Sequence, residues 1–260
     1  MKKTGGLQGW IALAAAIALT LSAVPASALE FGVRGYYWFP GYKADGRLDA
    51  SGITGTETNY KDVLDVGNKA IPSVEAFAGL GKNHFSFMYT PLNYSGSTAL
   101  SQNVTFKGKT FTAGTQTESD LKMKMYDFDY QRDLVNLENI LAGFSVGVIG
   151  KIKYIDGETR MNAPALGFDE KQTYGVVMPM IGVGAHIGLL LNILEARAKV
   201  TGMAYSGNTF IDALADLSWT PFPFLDVHGG YRYVKLNLER GDLTLNSTYS
   251  GPFVALTVGF

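Results

Sequence analysis

The chain has 260 residues, 22 basic against 23 acidic, a formal net charge of −1, and no cysteine. That balance gives no reason to expect a nucleic-acid binder, which carries a concentrated basic face, and the lack of cysteine excludes a disulfide scaffold, a thiolate metal centre and a thiol nucleophile. Glycine is abundant (31 residues) and aromatics form 12%, a mixture that suits a sheet with small residues on one face and aromatic girdles on the other.

In chain order, the first element is a secretory signal over 1–28: Lys2 and Lys3, an apolar run from Trp10 to Val24, and Ala26-Ser27-Ala28 as a small-x-small cleavage site. The run is shorter than the ~20 apolar residues of a spanning helix. The remaining 29–260 reads as one domain of alternating strands. Phe31 to Phe39 puts Phe31, Val33, Tyr37 and Phe39 on one face and Arg34, Tyr36 and Trp38 on the other. A long polar connection is expected near 40–69. Pro72 to Leu80 is the second strand, Gly81-Lys82-Asn83 a tight turn, and His84 to Tyr94 the third. A second long connection is expected near 96–120, with a small hairpin at Val104 to Phe111.

Leu121 to Gln131 carries Leu121, Met123 and Met125 on one face, then Tyr126, Phe128 and Tyr130 on the other. The change of apolar face predicts a β-bulge near Tyr126 or Asp127, with Asp127 and Asp129 turned inward. Ala142 to Tyr154, Tyr174 to Ile187, Glu195 to Tyr205, Ile211 to Thr220 and Leu225 to Val234 follow, with outer connections at about 156–171 and 239–248. The terminal strand alternates Val254, Leu256, Val258 and Phe260 with Phe253, Ala255, Thr257 and Gly259. An aromatic carboxy-terminus on such a strand resembles the sorting signal of bacterial outer-membrane barrels.

An exported chain that crosses a membrane without apolar helices has one sheet form open to it, the closed barrel. The expectation is an all-β, closed antiparallel up-and-down transmembrane barrel of about ten strands, eight as the alternative, with both termini periplasmic and the bacterial outer membrane as its location. A soluble periplasmic lipocalin-like binder is a third reading. Around His228-Gly229-Gly230-Tyr231-Arg232-Tyr233, Lys61 to Asp65 and Lys153 to Glu158, the chain resembles a family of small Gram-negative outer-membrane barrels marked by a paired glycine before the terminal hairpin. The resemblance implies location and fold and carries over no catalytic residue.

Inward faces are expected to hold Arg34, Glu75, Lys122, Lys124, Lys151, Lys153, Arg197, Lys199, Asp212, Asp216, Asp226 and Arg232. Neighbouring strands bear opposite signs, as a packed and mutually neutralised interior requires. The resulting expectation is a non-enzymatic, monomeric protein of envelope structure or surface interaction, with no metal or other cofactor. Its partners would be outer-membrane lipid, lipopolysaccharide and, through the C-terminal strand, the barrel-assembly machinery. The alternative is a narrow porin-like channel lined by Lys122, Lys124, Lys151, Lys153, Arg197 and Lys199. The three histidines, His84, His186 and His228, fall near one end of the strands, and Asp226 with His228 is the one pair worth weighing as general-base machinery.

Overall fold

The computed structural model describes residues 29–50, 52–59, 61, 65, 69–137, 143–190 and 193–259. The expected signal over 1–28, Asp62 to Leu64, Ala142 and Phe260 lie outside the described residues. The strands are β1 (Leu29–Trp38), β2 (Gly41–Leu48), β3 (Thr58–Asn59), β4 (Ile71–Leu80), β5 (Asn83–Ala99), β6 (Val104–Phe106), β7 (Lys109–Phe111), β8 (Gln116–Asn136), β9 (Ser145–Ala163), β10 (Phe168–Leu190), β11 (Leu194–Tyr205), β12 (Asn208–Phe222), β13 (Leu225–Arg240) and β14 (Leu243–Gly259).

Ten of them, in the order β1-β4-β5-β8-β9-β10-β11-β12-β13-β14, form an antiparallel ring that β1 and β14 close through pairs such as Val33 with Val258. Closure leaves no sheet edge in the part of the ring where β1 joins β4 and β14, so the backbone there is satisfied without water. Gly32 stands opposite Gly259, which puts both described chain ends at one rim, here the terminal rim; the other is the distal rim.

Outside the ring, a belt next to the terminal rim is apolar. Phe31, Val33, Phe87, Ile152, Ile181 and Leu256 are among its exposed residues. A closed barrel with such a belt is the form a sheet takes in the bacterial outer membrane, and it overturns the soluble lipocalin-like reading, which needs the apolar face inside and charge outside. The strands run well past the belt. The 23 residues of β10 span roughly 75 Å of strand and, tilted by ~40°, stand about 55–60 Å tall against an apolar band of ~25 Å.

This length corrects the expected loops. Gly41–Leu48 inside the expected 40–69 connection is strand β2, which extends β1 in phase past Phe39-Pro40 and pairs with Leu243–Ser250 of β14. β5 and β8 similarly run into the expected 96–120 loop and pair as far as Ala99 with Gln116. The connections at 156–171 and 239–248 are mostly strand, leaving a 3-10 turn at Pro164–Leu166 and a turn at 241–242. The expected small hairpin is present as β6–β7.

The bulge near Tyr126 is absent, because β8 keeps unbroken register with both neighbours through Met125, Tyr126 and Asp127. What changes there is the environment. Within the belt, lipid lies outside and charge inside; beyond it, water lies outside and the interior is apolar. The same inward face can therefore carry Leu121, Met123 and Met125 and then Asp127 and Asp129, all buried, with no slip of the backbone.

Of the paired glycines, Gly230 is inward and tightly enclosed: a Cβ there would lie 2.6 Å from Phe253 Cζ and 2.7 Å from Asp216 Cβ. At Gly229, on the outward face, a Cβ would meet nothing within 4 Å.

Candidate functional site

The interior is built in three levels, because inward residues recur every second position along each strand, about 6.6–6.8 Å apart. Nearest the terminal rim is a vestibule. A layer of ion pairs floors it, and beyond that the lumen is filled with hydrophobic side chains.

The ion-pair layer draws on strands from every side of the ring. Arg34 Nη1 donates to Glu75 Oε2 at 3.0 Å, and the Tyr36 hydroxyl donates to the same oxygen at 2.6 Å. Lys199 lies 3.5 Å from Glu75 Oε1 and 3.1 Å from Asp129 Oδ2. Asp212 is shared by Lys151 at 3.4 Å, Lys153 at 3.0 Å and Arg232 Nη2 at 3.0 Å. Lys153 also pairs with Asp127, and Arg232 reaches Asp127 at 3.4 Å while its guanidinium lies over the Trp38 ring. Arg197 donates from Nε and Nη2 to Asp216 Oδ2 at 3.1 and 2.9 Å. Six basic residues thus meet five carboxylates. A buried charge left alone costs several kcal/mol, so each member holds the others in place.

Above the floor, toward the distal rim, Met123, Met125, Met178 and Met180 fill the lumen with Phe210, all buried. Unbranched thioethers pack irregular space well. Tyr42, Tyr94 and Tyr249 then stack at 4.5–6.1 Å between ring centroids. The β6–β7 hairpin caps the distal opening: Val104, Phe106 and Phe111 are buried in the same cluster, and backbone and side-chain bonds between Thr56 and Thr105 fasten it down.

Ten of the twelve expected inward charges lie on the inner face. Lys122 and Lys124 do not; both are exposed on the outside of β8 beyond the belt, where the polar face of the strand is the outer one. Lys122 there faces Glu158 at 3.9 Å, and Lys171 binds the other oxygen of Glu158 at 2.6 Å. Asp226 is inward but half-buried at the terminal rim, where its Oδ1 accepts the Thr220 hydroxyl at 2.7 Å. It does not pair with His228, which is buried one step further in. His228 Nδ1 lies 3.1 Å from Asp216 Oδ1 and Nε2 lies 2.8 Å from Thr257 Oγ1.

Carboxylate, imidazole and hydroxyl in that order match a hydrolase triad in sequence of contacts. The Thr257 oxygen, however, already accepts Arg34 Nε–H at 2.6 Å, and Thr257 and His228 are only 2% and 4% exposed. His228 thus ties Thr257 to Asp216, and neither His228 nor Thr257 lines the vestibule. No cluster of three or more metal-ligating side chains occurs among the described residues.

The vestibule has a volume of about 780 Å³. Arg34, Glu75, Asp129 and Lys199 form its floor, and Glu30, His84, Asp133, His186 and Glu195 stand at its mouth. His84 Nε2 lies 3.1 Å from Asp133, whose other oxygen accepts Gln131 Nε2–H at 2.9 Å; His186 Nε2 lies 3.0 Å from Glu195. Sequence reading placed the histidines near this end but did not single out Glu30, Asp133 or Glu195, whose strands bend no pattern that marks a cavity.

No protein-family model matches the sequence, and no curated protein matches it. Among solved structures, the translocator domain of the autotransporter NalP from Neisseria meningitidis aligns at 13% identity over 99% of each chain, with a TM-score of 0.43. Ail, the attachment invasion locus protein of Yersinia pestis, aligns at 10% identity over 90% of this chain and 99% of its own, TM-score 0.36. The Pseudomonas putida toluene transporter TodX aligns at 10% identity over 92% and 91%, TM-score 0.29. The barrel class of this chain rests on its own closed strand ladder, not on these likenesses.

Proposed function

We propose that the chain is a sealed, non-enzymatic outer-membrane barrel that serves envelope structure or surface interaction, with its terminal rim in the periplasm and its tall distal part outside the cell. The observation that carries this reading is the ion-pair layer, whose contacts cross the whole diameter of the lumen beneath a filled and capped apolar interior. A channel would need a continuous wetted path, and the lysines meant to line one are either outside the barrel or matched to carboxylates. The two longest connections, from β2 to β4 and from β5 to β8, lie at the distal rim, together with tight turns at 206–207 and 241–242; barrels of this kind turn their long loops outward from the cell. Lipid and lipopolysaccharide would surround the belt. The strand with Val254, Leu256, Val258 and Phe260 would be read by the assembly machinery, and the chain would act as a monomer.

The absence of native cysteine makes the orientation simple to test. Lys109→Cys on the distal hairpin is expected to react with a membrane-impermeant maleimide on intact cells, and Asn83→Cys at the terminal rim only after permeabilisation. The reverse pattern would refute the orientation, and labelling of neither in a folded membrane fraction would refute surface exposure of the hairpin.

A further inference from the structure

The vestibule is more than space left under the ion-pair floor, because its charges are sorted by depth. Its inner end is basic. Arg197 keeps 26% of its side chain exposed and Lys199 16%, and the Arg197 nitrogen Nη1 makes no hydrogen bond to a described residue, since Asp216 is bound through Nε and Nη2 alone. The floor carboxylates Glu75 and Asp129 are already held by Arg34, Tyr36, Lys151 and Lys199. The mouth is acidic. Glu195 is 35% exposed beside His186, and Glu30 is exposed with no ion pair among the described residues.

Along β11 the inward sequence Glu195, Arg197, Lys199 sets acid and base one and two layers apart, roughly 7 and 13 Å. We infer that the vestibule is a binding site for short zwitterionic peptides, which enter carboxylate first. The carboxylate would accept from Arg197 Nη1 and Lys199, charge-assisted bonds in a site shielded from bulk water, and the terminal ammonium would rest against Glu195. A three-residue peptide is about 10 Å long, between the two layer spacings, and a volume of about 780 Å³ falls in the range of ~300–1,000 Å³ typical of small-ligand sites. The inference goes beyond the sealed-barrel reading and does not depend on orientation, because in detergent both rims face solution.

The test is calorimetric titration of the full mature barrel, refolded in detergent, with tri-alanine, N-acetyl-tri-alanine and tri-alanine amide. Saturable binding of tri-alanine is expected, with each blocked form weaker by about tenfold or more, the cost of one charge-assisted contact. Glu195→Gln, an isosteric change at a half-exposed side chain, is expected to weaken tri-alanine by a similar factor and to leave the amino-blocked peptide unaffected. Equal affinity for the acetylated peptide would make this a plain anion site and overturn the inference. So would unchanged tri-alanine binding by the Glu195→Gln protein, or no saturable binding of any of the three.

Discussion

Glu75 on β4 and Lys199 on β11 stand five strands apart in a ten-stranded ring, and their charged atoms are 3.5 Å apart. Arg232 on β13 and Asp127 on β8, also five strands apart, meet at 3.4 Å. Two diametric contacts within one layer are the geometry on which the proposed sealed lumen rests.

Asp212 is the hub of that layer. Replacing it with Ala removes a carboxylate from Lys151, Lys153 and Arg232 together. Removing one partner from a buried network costs ~3–5 kcal/mol, and a loss of that size is expected in urea unfolding of the detergent-refolded protein. A change below 1 kcal/mol would mean that water reaches these groups.

The distal cap is held by apolar packing, with Phe111 fully buried. Phe111→Ala is expected to destabilise by ~3–5 kcal/mol and to admit an environment-sensitive apolar dye to the distal lumen. Ion flux should stay absent, because the ion-pair floor lies below the cap. Leakage in this variant alone would shift the seal from the floor to the hairpin.

The two adjacent glycines should respond oppositely. Gly230→Val pushes side-chain atoms into Phe253 and Asp216, an overpacking worth ~1–3 kcal/mol or more. Gly229→Val meets open space and should leave the unfolding midpoint unchanged or raised. Equal losses would indicate a general intolerance of side chains in β13.

On the water-facing distal exterior, Arg160 donates to both oxygens of Asp169 at 2.7 and 2.8 Å. That hydrogen-bonded pair, helped by its charge, holds the Asp169 carboxyl below the usual range. A depressed carboxylate pKa contributes stability above the ordinary value and loses it as the pH falls through the folded one. An NMR titration should therefore show Asp169 protonating at lower pH than a free aspartate, and Arg160→Ala should return it to the ordinary range. Because the pair is exposed, the midpoint of unfolding should hardly move.

The belt strands were legible in the sequence because each alternates lipid-compatible and polar residues over about ten positions, the span that one environment covers. What lay beyond the belt was not. Met123 and Met125 are inward on the same face as Asp127, but an apolar row followed by an acidic one reads as a backbone slip unless the surroundings are known to change at the membrane boundary. The same inversion hid the roles of Lys122 and Lys124, and it made the paired stretches Gly41–Leu48 and Leu243–Ser250 resemble loops. Arg34 with Glu75 and Arg197 with Asp216 could be anticipated from adjacent strands. The contacts of Lys199 with Glu75 and of Arg232 with Asp127 could not, since they depend on the diameter and stagger of the closed ring.

The most direct measurement is single-channel recording of the refolded mature protein in a planar bilayer under salt gradients, with folding established beforehand by its heat-modifiable migration. A sealed lumen predicts a quiet baseline from demonstrably folded, inserted protein. Discrete, reproducible steps with a defined ion preference would contradict it.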